Sequence, residues 1–548
     1  MSGGTEAATT GAGEWGGGTA APDPGGSKGP HGEGKQSQQD RLMAIALERF
    51  RISRTPKGDA FAVPAKGPNV VRMLRGGGDS LRAELADAHS RKYGKAASSV
   101  ALADVMLTLQ GRAMSGEPEA VELRTARGPA GEIVLDLGCT RGRVVVVRPD
   151  GWSIEASSSV LFRRTELIGE LPAPERGGDI EELRRFLNVG QEDFWLFVGW
   201  CVAAFIPEIA HPVLLLTGEQ ATGKSTAAKL IANLIDPGPA RLCCPPRDPD
   251  QWTVAASGRW VVALDNLSQI PEWLSDALCR GVTGDGRVTR KLYSDGDLHV
   301  VEFRRPILIN GIDLPALRGD LGSRLLKIEL ERIDPTKRLS EDALMRGYDL
   351  ARPRMVGALL DLLVKVLAWL PEVRPIEMPR LADFSRVLAA MDEALEHKCN
   401  TLQRFSGQES EIARDVVEGD AFAESIMAMM GELIGPWEGT AKRLQEELPK
   451  PTPIPPSWPK NAKGIAGRIR RLAPSLIRLG YQVVLPSEAT RINGERLYRI
   501  AAPDKAAAAN TPPPPRISNV PTVRAEDPFP LSAPPPAEHL DGEGEAID

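Results

Sequence analysis

The stretch Pro212-Val-Leu-Leu-Leu-Thr217, running into Gly218-Glu-Gln-Ala-Thr-Gly223-Lys224-Ser225-Thr226, decides how this chain folds. An apolar run of strand length breaks at a glycine. A second glycine, a lysine and two hydroxyls follow, and Ala227 to Ile235 reads as a helix. This is the G-x-x-x-x-G-K-[ST] phosphate loop, with the preceding strand and following helix that give the motif its meaning. The glycines let the backbone curl so that successive N–H groups face phosphate oxygens. The positive end of the following helix adds to that field. Gly218, Glu219, Gln220, Ala221, Thr222, Gly223, Lys224, Ser225 and Thr226 are therefore the candidate nucleotide-binding residues. Lys224 is expected to reach the β- and γ-phosphates and the Ser225 hydroxyl to ligate Mg²⁺, which makes ATP and Mg²⁺ the expected cofactors.

Working outward, Arg259-Trp-Val-Val-Ala-Leu264 reads as a buried strand that ends in Asp265, 41 residues after Lys224, with Asn266 next to it. In a doubly wound fold a strand-terminal Asp sits at the carboxyl edge beside the phosphate loop. There Asp265 can join Ser225 in the Mg²⁺ shell. Next, Thr283 to Asp297 has Gly/Asp clusters at both ends, which suggests a hairpin whose strand carries Arg287, Arg290, Lys291 and Tyr293. Cations beside an aromatic ring suit single-stranded nucleic acid, although a solvated edge strand explains the same residues. Arg305-Pro-Ile-Leu-Ile-Asn310 is another buried strand with a polar end, and Arg324 follows 14 positions later.

That order of parts, over about residues 195–335, resembles the superfamily 3 helicases, the AAA+ branch that includes the helicase halves of phage and plasmid primase–helicases. The resemblance implies a ring-forming ATPase in which Lys224, Asp265, Asn310 and Arg324 are catalytic. Asn310 would polarise the attacking water, Arg324 would act as a finger on the neighbouring subunit's γ-phosphate, and Arg290 and Lys291 would lie on a pore hairpin that grips single-stranded DNA. Asn266 departs from the pattern by replacing a second acid, which leaves the general base open.

The flanks supply context. The 548-residue chain carries a net charge of −6, so any nucleic-acid surface must be local. The Gly-rich residues 1–39 and the Pro/Ala-rich residues 503–548 lack periodic apolar positions and are expected to be disordered. No apolar run is long enough to span a bilayer, and there is no signal-peptide pattern. The six cysteines show no metal-ligand spacing and read as reduced thiols of a cytoplasmic protein. Residues 40–118 read as a small mixed α/β region and 119–176 as short strands, with a tight turn at Asp150-Gly151. Gly178 to Ala210 reads as an apolar helical stretch within an ATPase domain spanning 177–335. A helical lid or collar over 336–436 includes helices at Asp342–Leu370, Pro379–Glu396 and Val416–Ile434.

A proline-rich segment, Pro449 to Pro459, marks a last unit over 437–502. There a helix from Lys463 to Leu479, with Pro474 inside it as a candidate kink, precedes two strands joined at Asn493-Gly494, the layout of a winged helix. Lys460 to Ile500 holds nine Lys/Arg against Glu488 and Glu495, a net of +7, so Arg468, Arg470 and Arg471 are the candidate contacts to duplex DNA.

The fold expected is thus α/β: a P-loop AAA+ core, a smaller mixed N-terminal region, a helical collar, a C-terminal winged helix and disordered tails. The function expected is an ATP-hydrolysing, helicase-like motor acting on DNA in the replication of a mobile element. It would assemble as a homo-oligomeric ring and use a primase on a separate chain, since paired polymerase carboxylates are not evident. The alternative is an ATP-gated DNA-binding regulator that does not unwind; a small-molecule kinase lacks any substrate-lid signature.

Overall fold

The structure, a computed structural model, describes residues 36–75, 80–284, 287–290, 298–311, 319–375, 379–486, 491–492 and 495–503. Most of both expected disordered tails lies outside these residues. The first ordered device is a capping box, in which Ser37 accepts from the Asp40 amide while the Asp40 carboxylate accepts from the Ser37 amide, starting α1 (Gln38–Arg49). Strands β1 (Phe50–Arg54), β2 (Ala60–Pro64) and β3 (Arg72–Met73) follow as an antiparallel sheet. Helices α2 (Leu81–Tyr93) and α3 (Ser99–Met114) close over it around Leu42, Leu85, Leu102 and Leu109, a core separate from the rest.

The next strands are β4 (Val121–Glu122), β5 (Thr125–Arg127), β6 (Ile133–Asp136), β7 (Val144–Arg148), β8 (Gly151–Glu155) and β9 (Leu161–Phe162). β5 to β8 form an antiparallel meander, and β4 pairs in parallel with β9. Side chains alternate across the meander, yet both faces are covered. Ile133, Leu135, Val145, Val147 and Trp152 join the main core, while Val134, Val144 and Val146 pack with Phe162. Arg148 pairs with Gly151, so the turn is Pro149-Asp150, one residue earlier than expected. Proline's fixed φ suits the first position of that loop, and Gly151 is already strand.

The stretch expected to be helical from Gly178 to Ala210 is interrupted. A single 3₁₀ segment (Ile180–Arg185) precedes α4 (Phe194–Ala203), because the chain between them runs extended and bridges Val189 to Leu330. α4 is apolar on every side and buried except at Trp195, which is half-buried. Its last carbonyls are met by side chains: His211 Nε2 lies 2.8 Å from the Ala203 oxygen, and Trp260 Nε1 donates to Ala204 at 2.7 Å.

Then come β10 (Val213–Thr217), α5 (Lys224–Ile235), α6 (Pro249–Ser257), β11 (Val262–Leu264), α7 (Glu272–Thr283), β12 (Arg287–Arg290), β13 (Leu298–Val301), β14 (Ile307–Asn310), α8 (Gly319–Gly322) and β15 (Leu325–Glu329). Strands β11, β14, β10 and β15, in that spatial order, form an all-parallel sheet. β10, β11 and β14 read as continuous apolar runs, as parallel strands buried on both faces do, while the edge strand β15 carries Lys327 and Glu329.

Four helices come next: α9 (Glu341–Trp369), α10 (Ala382–Ala394), α11 (Thr401–Glu418) and α12 (Ala421–Glu432). The helix expected over Val416–Ile434 is split at Gly419-Asp420, where the Asp420 side chain accepts from the Phe422 and Ala423 amides and starts α12. The chain closes with β16 (Trp437–Gly439), α13 (Ala441–Glu447), α14 (Ala462–Arg478), β17 (Gln482–Val484), β18 (Arg491–Ile492), β19 (Glu495–Arg496) and β20 (Tyr498–Ala501). β16, β20 and β17 form an antiparallel sheet, and β18 pairs with β19; the expected Asn493-Gly494 turn lies outside the described residues. Leu444, Ile465, Ile469, Leu476 and Ile500 belong to the same apolar core as β10 and α9. That core is continuous across residues 176/177, 335/336 and 436/437, and the proline-rich segment packs onto it through Trp458, whose ring meets Phe422 at 5.6 Å.

One buried ion pair ties the meander to the parallel sheet. Arg124, fully buried, donates from Nε to Asp236 Oδ1 at 2.8 Å and from its other nitrogens to the carbonyls of Asp136, Gly169 and Pro237. Asp236 Oδ2 accepts from the amides of Trp260 and Val261 at 2.8 and 3.0 Å. Among the described residues no helix is long and apolar enough to cross a membrane.

Removing one partner of such a pair strands a buried charge. Arg124→Met is expected to destabilise the protein by roughly 3–5 kcal/mol, read as an early thermal or denaturant transition; a transition unchanged from wild type would contradict this account. His211 supplies a second prediction. Burial holds its pKa down at about 4, against the opposing pull of its bond to the Ala203 carbonyl. Between that value and the ordinary 6.5 the unfolded chain binds a proton that the native chain refuses, so stability falls as pH drops through this window. The full loss is about 3 kcal/mol. His211→Gln, which keeps an N–H for Ala203, should remove this component when stability is measured from pH 7 to pH 4.

Candidate nucleotide-binding site

The loop between β10 and α5 is built by backbone conformations that few side chains tolerate. Gly218 has φ +137° and Gly223 has φ +78°, and Ala221, without a glycine's freedom, also sits at φ +67°. A Cβ on Gly218 would lie 2.8 Å from the Leu330 carbonyl oxygen, so the loop can pass β15 only as glycine. Thr222 is buried and its hydroxyl donates to the Glu219 carbonyl at 3.0 Å. Lys224, the first residue of α5, donates from Nζ to the carbonyls of Gly218 and Glu219, both at 2.7 Å. The ammonium is therefore held across the mouth of the loop, while Glu219, Gln220 and Ala221 are exposed and Ser225 and Thr226 half-buried.

The strand order carries two further residues to this loop. β14 lies between β11 and β10, with Ile309 opposite Leu264 on one side and Asn310 opposite Leu216 on the other. Asp265 and Asn310 thus emerge together at the carboxyl edge. Asp265 Oδ1 accepts from the Ser225 hydroxyl at 2.7 Å and from Asn310 Nδ2 at 2.8 Å. Asn310 Oδ1 in turn accepts from the Asn266 amide at 2.7 Å, and the Asn310 carbonyl accepts from the Leu267 amide at 2.8 Å. The Asn310 side chain is locked at both ends, so its amide cannot flip without losing two bonds. Asn266 itself is exposed and takes φ +57°. Ser225 and Asp265, the pair expected to share a Mg²⁺ shell, are in direct contact, and the hydroxyl and carboxylate oxygens are the hard donors such an ion requires.

Two positioning contacts had no sequence signal. Asn188, in the extended stretch before α4, donates to the Thr222 carbonyl at 2.9 Å and also to the Glu331 carbonyl, clamping the loop to the end of β15. Cys243 accepts from the Asp265 amide at 2.9 Å and so fixes the strand end. Both lie far in sequence from the groups they hold, and only the sheet brings them near.

Other expected site residues are not gathered here. Arg324 was expected to project as a finger; its side chain is instead only 10 % exposed and pairs with Asp320 at 2.7 Å. In this conformation it faces its own chain, because α8 turns back immediately before β15 and brings Asp320 beneath it. β12 and β13 pair antiparallel from Arg287–Val301 to Arg290–Leu298, so the hairpin strands exist; Lys291 and Tyr293 lie outside the described residues. Arg468 and Arg471 were expected to face DNA, yet Arg468 pairs with Asp420 and Arg471 lies 3.6 Å from Glu272, whereas Arg470 is exposed. Among the described residues no group of three or more His, Cys, Asp or Glu could hold a metal ion.

With this geometry in view, the likenesses to known proteins can be placed. No curated protein matches the chain. Among solved structures, an apo form of the NrS-1 C terminal region is 11% identical, with 84% of this chain and 99% of that chain covered and a TM-score of 0.36. The active helicase Cch of SCCmec type IV is 11% identical, with 84% and 94% covered and a TM-score of 0.41. Scores this low assign neither fold nor activity. Family models are more telling: residues 180–410 match the actinomycete integrative conjugative element replication protein, and residues 422–514 match the C-terminal domain of the RepA of such elements. The two matches run consecutively, span the phosphate loop, Asp265, Asn310 and α14, and together take in more than half of the sequence. The chain belongs to the RepA family of replication proteins of actinomycete integrative conjugative elements.

Proposed function

We propose that this replication protein is an ATP-binding and ATP-hydrolysing motor of the AAA+ type that acts on DNA as a helicase. The observation that carries the reading is the Asp265 carboxylate oxygen receiving both the Ser225 hydroxyl and the Asn310 amide, directly below the phosphate loop. Lys224 and the loop amides would hold the β- and γ-phosphates, and Ser225 and Asp265 would hold Mg²⁺, which neutralises charge on the phosphates when bound. Asn310, locked by the Asn266 amide, would orient the attacking water. Arg324 serves as a finger in this scheme only if assembly of a ring draws it off Asp320. Single-stranded DNA would run along the β12–β13 hairpin in the pore of a homo-oligomer.

The C-terminal unit supports a second DNA contact. Strand β16, helices α13 and α14, and strands β17 and β20 with β18–β19 between them follow the order of a winged helix, with β20 central in its sheet. We read residues 437–502 as the duplex-binding end, 177–335 as the ATPase domain and 336–436 as its collar, in a cytoplasmic protein that relies on a separate primase and no membrane. The exposed Asn266, in place of a second acid, favours one other reading, an ATP-gated DNA-binding regulator that does not unwind.

Lys224→Ala should reduce ATP binding and turnover by roughly 10²-fold or more, since a preorganised charged donor to the phosphates is lost. Wild-type ATP affinity in that variant would refute the nucleotide site. ATP-dependent strand displacement on a forked substrate is expected of the wild type; ATP binding with duplex retention but no displacement would establish the regulator instead.

A further inference from the structure

Helix α14 carries its arginines in a stripe. Arg468, Arg471 and Arg478, with buried Ser475 among them, recur at three- and four-residue steps and so share one face. The neighbouring face is apolar, with Ile465, Ile469, Leu472 and Leu476 buried. The helix is enclosed by two sets of neighbours: α13 and β17 of its own C-terminal unit, and α11 and α8 of the body. Every arginine of the stripe meets a carboxylate. Arg468 pairs with Asp420, the cap of α12; Arg471 reaches Glu272 at the start of α7; Arg478 pairs with Glu409 on α11. Asp420 and Glu409 are themselves buried, with side chains 4% and 6% exposed.

We propose that the C-terminal unit is held in an electrostatic latch: carboxylates of the body occupy the arginine face of α14 that duplex DNA phosphates would otherwise take, so docking on the body and binding of duplex exclude one another. The proposal rests on the reading of this unit as duplex-binding. A guanidinium fork fits a carboxylate and a phosphate by the same bidentate geometry, so one anion replaces the other without rebuilding the helix. The Arg471–Glu272 pair is solvent-exposed and contributes little. Arg478–Glu409, partly shielded, is the stronger clasp between unit and body, and Arg380 lies close enough to Arg478 to repel it. The docked helix also packs against α8, whose Asp320 binds both Arg380 and Arg324 at 2.8 and 2.7 Å.

The test uses the full chain with Glu272→Gln and Glu409→Gln together. Hydrogen exchange of the α14 amides is followed without DNA, and affinity for a duplex of arbitrary sequence is measured at fixed salt. The latch predicts faster exchange in α14 and an affinity gain of about ten-fold, because the competent population rises. ATP affinity should stay at the wild-type value, which marks an intact body. The reversed pair, Arg478→Glu with Glu409→Arg, should restore slow exchange and lower duplex affinity below wild type. Exchange unchanged in the double Gln variant overturns the latch. Faster exchange with equal, measurable duplex affinity overturns the exclusion. Faster exchange with no duplex binding by either protein at low salt overturns the DNA reading of the unit, and with it the occupant proposed here.

Discussion

The Arg124–Asp236 pair is the constraint on which the rest of the structure depends. Asp236 ends α5, the helix that begins at Lys224, and its second oxygen receives the amides of Trp260 and Val261 where the chain enters β11. One carboxylate therefore sets the far end of the phosphate-loop helix against the strand that delivers Asp265. Arg124 neutralises that carboxylate and gives its remaining donors to the carbonyls of Asp136 in the meander, Gly169 beyond β9 and Pro237 in the turn after α5. A buried pair of this kind adds little net stability over a well-packed apolar replacement, but it cannot lose one member. Its geometric consequence is that the meander and the parallel sheet form one body with a shared core.

The candidate site inherits its order from the sheet. Because β14 is inserted between β10 and β11, the end of a strand that arrives late in sequence lies between two that arrive earlier. Asn310 is thereby within reach of Asp265 on one side and the loop on the other, and its amide is fixed by hydrogen bonds to both its oxygen and its nitrogen. Preorganised groups of this kind need not reorient when charge develops. The same logic explains Asn188, whose single amide clamps the loop to the end of β15 from a stretch that has no motif of its own.

Charge shows what composition leaves open. The excess of +7 between Lys460 and Ile500 is genuine in the sequence, but a helix's charge acts on whatever anion is nearest. For Arg468, Arg471 and Arg478 the nearest anions are Asp420, Glu272 and Glu409, residues separated from them by between 48 and about 200 positions. Arg324 is a parallel case: the family resemblance implies a finger, and in this conformation the fold sets its side chain against Asp320. Sequence reports the sign and amount of charge; the partner is a property of packing.

What the sequence by itself determined is local and periodic. The strand, glycine-bounded turn and helix around the phosphate-loop motif were legible because glycines at fixed spacing, a lysine and a hydroxyl have few other uses between a strand and a helix. The apolar runs of β10, β11 and β14 and the stripes of α9 and α14 followed from burial on one or both faces. Only the tertiary structure decided strand order, the break of the Gly178–Ala210 stretch beside β15, the start of a new helix at Asp420, and the partners of each arginine. Those outcomes turn on contacts between residues distant in sequence, which a buried backbone or charged group must find somewhere but which no local pattern names in advance.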